Sequence, residues 1–106
     1  MKPDISKELN NVFADARMLD YNFNTRDLSI SFLYHDKKFI FYFINCKKII
    51  PDDFLSELDR LIKKNLRDLL EIKELRLNNI KRIFHLLYSD GFSLEIECGD
   101  FYYEMY

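Results

Sequence analysis

The sequence predicts an α+β domain: a mostly antiparallel sheet of five or six strands with two helices, the longer helix packed on the sheet. Three observations carry this expectation. Two segments, opening at Pro3 and at Pro51, each begin Pro-Asp and continue with apolar residues at helical spacing. Several shorter segments alternate apolar and polar residues, the period of a strand. Between them lie brief connections such as "NTRD", "HDKK", "SDG" and "GD", short enough to join antiparallel neighbours.

In the first helix Pro3 has no N–H to leave unsatisfied and Asp4 suits the positive end. Ile5, Leu9, Val12, Phe13, Ala16 and Leu19 follow at helical spacing, so this helix is expected to run to about Leu19. Tyr21 and Phe23 alternate with polar residues as a short strand, and Asn24 to Asp27 read as a turn. Leu28–Tyr34 and Phe39–Cys46 then form a hairpin. With Tyr34 opposite Phe39, the residues Leu28, Ile30 and Phe32 share a core face with Phe41 and Phe43. The other face (Ser29, Ser31, Leu33, Ile40, Tyr42, Ile44) is only half polar, which invites something to cover it.

The segment "PDDFLSELDRLIKKNLRDLL", Pro51 to Leu70, reads as the longer helix. Phe54, Leu58, Leu61, Leu66 and Leu69, with Leu55, Ile62 and Leu70 beside them, form a broad apolar stripe about 30 Å long. Asp59–Lys63, Lys64–Asp68 and Arg67–Glu71 would then be i,i+4 pairs on its exposed side. Glu74 to Leu77 reads as a short strand. Ile80 to Tyr88 fits a helix or a strand buried on both faces, and the following "SDG" turn favours the strand. The end of the chain, "FSLEIEC", "GD", "FYYEMY", reads as strand, tight turn, strand, with Gly99 taking the positive φ of a type II′ turn.

A chain of 106 residues is expected to form one domain, 1–106, and with 48% hydrophobic residues it can fill a core without metal or disulfides. The polar start "MKPDISKELN" has no apolar signal region, and no apolar run approaches the roughly 18–20 residues that span a bilayer. Cys46 and Cys98 are too few for a disulfide framework and read as free thiols. These features together predict a cytoplasmic protein without a membrane partner. Of 18 acids and 16 bases, residues 83–106 hold five acids and no base, which leaves 13 acids against 16 bases in the first 82 residues.

The candidate binding residues lie in that base-free stretch: Asp90, Glu95, Glu97, Asp100, Tyr102, Glu104 and Tyr106. A two-residue turn at Gly99-Asp100 pairs Cys98 with Phe101 and puts Phe92, Leu94, Ile96, Tyr103 and Met105 on one face. The glutamates and Tyr102 then occupy the other, with Glu95 directly opposite Glu104. Like charges facing each other cost up to about 1 kcal/mol, a cost that a cationic partner would remove. Tyrosine adds rigid contact area of the kind that dominates interfaces.

Other chemistry finds little support in the residues. No Cys/His spacing suits zinc, and no P-loop, Rossmann glycine motif or nucleophile elbow is present, so no metal, cofactor or enzymatic activity is expected. His35 falls in a turn. His85 would face Glu95 if the loop Ser89-Asp90-Gly91 has three residues, and Ile96 in the alternative register; it reads as a sheet histidine. Arg60, Lys63, Lys64, Arg67, Lys73, Arg76, Lys81 and Arg82 make the stretch 60–82 basic, but seven acids in Asp52–Glu74 offset them.

The stretch "YSDGFSLEIECGDFYYEM", the size, the α+β layout, the missing signal and a composition heavy in residues with AT-rich codons (Ile, Lys, Asn, Phe, Tyr) resemble the immunity proteins of bacterial contact-dependent growth inhibition and related polymorphic toxin systems. The resemblance implies a protein that binds one cognate toxin, often a basic nuclease, and blocks its active site or substrate groove. It transfers no family residue by position. The alternative expectation is a nucleic-acid-binding or phage-type regulatory protein that uses the basic stretch 60–82. Oligomeric state is left open.

Overall fold

The computed structural model describes residues 15–76 and 82–106. The chain runs through β1 (Arg17–Phe23), β2 (Leu28–Tyr34), β3 (Lys37–Ile50), α1 (Phe54–Lys63), β4 (Leu69–Arg76), β5 (Arg82–Tyr88) and β6 (Ser93–Met105). The six strands form one sheet in the order β1-β2-β3-β6-β5-β4, every neighbour antiparallel. Two three-strand meanders, β1-β2-β3 and β4-β5-β6, meet along the long β3/β6 seam, and α1 links them.

The sheet curls until its outer strands meet at one corner. Asp15 N–H donates to Leu69 O (2.7 Å), Leu69 N–H to Ala16 O (2.8 Å) and Met18 N–H to Arg67 O (3.0 Å). An antiparallel bridge joins Arg17 to Asp68. Across the interior the Tyr88 hydroxyl donates to Met18 Sδ at 3.5 Å, although the two residues lie on opposite outer portions of the sheet. The concave face is therefore the core. Phe32, Phe41, Phe43 and Phe84 are fully buried there and Phe101 nearly so. Their rings pack at centroid distances of 4.5–5.7 Å in tilted and edge-on pairs, the preferred geometries for aromatic quadrupoles. Shifts of register at Met18/Asp20, Cys46/Lys48 and Leu69/Glu71 supply the bending that a flat ladder lacks.

Several expectations are corrected by this architecture. Arg17 to Leu19, placed at the end of the first helix, belong to β1, because their backbone is claimed by β2 and by residues 67–69. Asp15 (φ 70°) and Ala16, also expected in that helix, are not helical and bond to Leu69 instead, while residues 3–14 lie outside the described residues. In the first hairpin Tyr34 pairs with Lys37 rather than Phe39, around a two-residue turn in which His35 (φ 50°) and Asp36 (φ 63°) are both left-handed, as in a type I′ turn. The shift is an even one, so Leu28, Ile30 and Phe32 keep the core face they share with Phe41 and Phe43.

The longer helix is half the expected length: ten residues, about 15 Å. It stops in a Schellman motif. Asn65 adopts φ 58°, its N–H reaches Ile62 O at 3.2 Å, and Leu66 N–H reaches Leu61 O at 2.8 Å. Lys64–Asp68 and Arg67–Glu71 thus fall outside the helix, and Leu69 and Leu70 begin β4. Phe54, Leu58 and Leu61 face the core. α1 lies along β1, where Phe23 meets Phe54 edge-on at 5.2 Å and the Tyr21 hydroxyl donates to Asp59 and to Leu55 O.

The last correction matters most for the site. Ser93 to Met105 is one continuous strand, not a hairpin, and Gly99 has no positive φ. Buried positions along it run Leu94, Ile96, Cys98 and then Phe101, a step of three instead of two. β3 makes the same step, from Phe43 to Cys46. The two steps face each other: Asn45 (φ 55°) sits beside Gly99, where an added Cβ would lie 3.5 Å from Asn45 Cβ. Both strands switch faces together, so the interior stays apolar on either side. The β5–β6 connection is the three-residue loop Ser89-Asp90-Gly91, closed by Tyr88 N–H to Phe92 O at 2.8 Å, with Gly91 at φ 93°.

Candidate functional site

Strand alternation fixes what the convex face presents. Along the β3/β6 seam Ile40 is paired with Glu104, Tyr42 with Tyr102 and Ile44 with Asp100. Ser31 and Ser29 of β2 and Asp20 and Asn22 of β1 continue the same rows. Tyr42 and Tyr102 stack with centroids 4.7 Å apart and planes 18° from parallel. The Tyr106 hydroxyl donates to Glu104 Oε2 at 3.2 Å. Burial raises the Tyr42 hydroxyl pKa above the usual phenol range, reinforced by a hydrogen bond with Tyr106 and by the Glu104 charge. The phenol therefore stays a neutral donor within an acidic rim. Ile40, Tyr42, Ile44 and Tyr102 are all half-buried, and no described helix lies on this face.

The structure brings four of the seven candidate residues, Asp100, Tyr102, Glu104 and Tyr106, onto this face, with Asp100 at its Ile44 end. Asp100 pairs with Arg82 Nη1 at 3.3 Å. The other three lie elsewhere. Asp90 turns to the helix: its Oδ2 meets Arg60 Nη2 at 2.9 Å and its Oδ1 accepts from Phe92 N–H at 2.9 Å, so it clamps the hairpin loop to α1. Glu97 stands between Lys48 and Ile83, and Glu95 between Ile50 and His85. Glu95 and Glu104 are nine residues apart on one extended strand, about 30 Å, so the unfavourable glutamate pair expected from a hairpin does not form. The base-free stretch is flanked by strands that carry bases.

Sequence reasoning recognised Tyr42, Ile40 and Ile44 as an incompletely polar face but not their alliance with Tyr102 and Glu104. The signal for it was the matched three-residue step at Phe43/Cys46 and Cys98/Phe101, legible only if the two segments are taken as neighbours.

The basic stretch 60–82 is also divided. Arg60 binds Glu57 and Asp90, Lys73 binds Glu71 at 3.3 Å, and Arg67 donates to Ile62 O at 3.1 Å. Arg82 makes a two-pronged bond to Glu74 (2.9 and 3.2 Å), whose carboxylate side chain is 1% exposed. Those cations are spent on internal partners. His85 does face Glu95, as the three-residue loop requires, with Lys73 on its other side; its Nδ1 is buried without a hydrogen-bond partner among the described residues. Among the described residues no group of three or more His, Cys, Asp or Glu is arranged to hold a metal, and no helix is long and apolar enough to cross a membrane.

Comparison with protein-family models, with curated proteins and with solved structures returned no match.

Proposed function

We propose that this chain is a binding protein, an immunity protein that neutralises a cognate bacterial toxin domain, and that the toxin docks on the convex face of β3 and β6. The observation that carries the reading is the stacked Tyr42–Tyr102 pair, set between Ile40 and Ile44 and rimmed by Glu104 and Tyr106. Such a face has the composition of an interface centre: rigid aromatics, aliphatic neighbours and a polar border. The rim is acidic, with Asp20 in the same row as Glu104, and suits a partner whose surface is basic, as a nuclease's phosphate-binding groove must be.

The experiment is titration calorimetry against purified C-terminal domains of secreted proteins encoded by the neighbouring genes, with a growth-protection assay in parallel. Tyr42→Ala and Tyr102→Ala are each expected to weaken binding by about 30-fold or more, the hot-spot range, with secondary structure retained. Glu104→Lys should weaken binding chiefly by slowing association. Wild-type affinity in all three variants would remove this surface from consideration. Absence of binding and protection by the unaltered protein would end the immunity reading itself.

A further inference from the structure

Cys46 and Cys98 are partners across the β3/β6 seam, and both are free thiols. The Cys46 N–H donates to Arg26 O at 2.6 Å, on the β2 side. In a strand the N–H and C=O of one residue point the same way, so Cys46 directs neither group at β6. The Cys46/Cys98 pair thus has the arrangement of a non-hydrogen-bonded one, the closer of the two antiparallel pairings, in which Cα atoms ordinarily lie about 4.5 Å apart. That separation falls within the roughly 4.4–6.8 Å that a disulfide spans. Both side chains belong to the concave face, Cys98 buried and Cys46 half-buried against the core. The Cys46 thiol now donates to Phe43 O at 3.3 Å. Cys46 also lines an open cleft of about 250 Å³, together with Thr25, Lys47, Lys48, Asp52, Phe23 and Phe54.

We propose that Cys46 and Cys98 are a latent redox pair that closes to a cross-strand disulfide, oxidised by a low-molecular-weight disulfide bearing carboxylates that reaches Cys46 through the cleft beside Lys47 and Lys48. The Cys46 thiolate attacks one sulfur of the small disulfide, forms a mixed disulfide and releases one small thiolate. The Cys98 thiolate then attacks the Cys46 sulfur, forms the Cys46–Cys98 bond and releases the second small thiolate. The protein loses two electrons and two protons, and the oxidant leaves as two thiols. Cys46 is the attacking sulfur because it lines the cleft, whereas Cys98 is 2% exposed.

The bond would staple the seam that joins the two meanders. Burial sets the rate: it pushes the Cys98 thiol up to about 12 and the Cys46 thiol above its ordinary value, so little thiolate exists at neutral pH. Closure is slow at neutral pH and quickens about tenfold per pH unit below the thiol pKa.

The test incubates the folded chain with oxidised glutathione at pH 8.5, then denatures it in an alkylating agent and weighs it. The expected product has lost two hydrogens, takes no alkyl group, and unfolds at a Tm raised by at least about 5 °C, reversed by dithiothreitol. Cys98→Ser is expected to stop at a single glutathione adduct on Cys46. Recovery of two alkylated thiols at equilibrium, or a wild-type chain that stops at the mixed disulfide, would overturn the proposal.

Discussion

Individual residues in this protein carry meanings that only their neighbours supply. Asp90 looks like part of an acidic tail, yet its carboxylate holds the β5–β6 loop against α1 through Arg60. Hydrogen bonding to Asp90 and Glu57 raises the Arg60 pKa further above its already high value, so the guanidinium of this clamp stays charged. Tyr21 shows the opposite case, a neutral group that the fold keeps neutral. Burial first, then its hydrogen bond to Asp59 and the charges of Asp59 and Asp20, push its hydroxyl up to about 12. The folded state thus favours the protonated phenol. The stability this contributes is complete below the unfolded value near 10 and is lost as pH rises through about 12. In an ultraviolet phenolate titration, the difference between wild type and Tyr21→Phe should be one phenol ionising near 12. A difference centred near 10 would contradict the Tyr21–Asp59 contact.

At the scale of elements, two competing local preferences decided where the sequence was legible. The apolar stripe of Phe54, Leu58 and Leu61 and the hairpin faces of β2 and β3 were readable, because burial enforces a period that side-chain order displays directly. The end of α1 was not, since Leu66, Leu69 and Leu70 continue a helical spacing by coincidence while Asn65 ends the helix through a left-handed residue and a Schellman motif. Gly99-Asp100 misled for a related reason: the pair has turn composition, but β3 offers its backbone a partner on either side. The two interpretations differ in one substitution. A type II′ turn needs positive φ at Gly99 and would lose about 1–2 kcal/mol in Gly99→Ala. In the continuous strand the new Cβ meets Asn45 and Ile44 O at 3.4–3.7 Å, ordinary contact, so Gly99→Ala should change stability by no more than about 0.5 kcal/mol in urea unfolding.

The whole molecule is defined by closure. A six-stranded sheet with one ten-residue helix among its described elements would leave much of a flat apolar face wet. Curling solves this by turning the sheet on itself, so that Met18 of β1 meets Tyr88 of β5 and the outer strands share backbone hydrogen bonds. Burial alone raises the Tyr88 hydroxyl pKa, as a phenol sealed inside such an interior requires. Hydrogen exchange measures the closure directly. The Asp15, Met18 and Leu69 amides, which bond to Leu69, Arg67 and Ala16, should exchange as slowly as those of the central β3/β6 ladder. Fast exchange at these three positions would mean the corner is open. The long β3/β6 seam also shapes the candidate site: its length separates Glu95 and Glu97 from Glu104, and its pairing sets Tyr42 on Tyr102.

The sequence by itself determined the α+β class, the strand periodicity, the faces of the first hairpin and the apolar side of α1. Each of these depends on residues near one another in the chain, where side-chain spacing records burial. Tertiary structure alone decided that β6 is one strand, that β3 is its partner, that Cys46 faces Cys98, and that Tyr42 of the first meander and Tyr102 of the second form one surface. Those choices turn on backbone pairing between segments about fifty residues apart. Hydrogen bonding of the main chain is indifferent to side-chain identity, so the sequence marks such pairings only through the matched irregularity that Asn45 and Gly99 share.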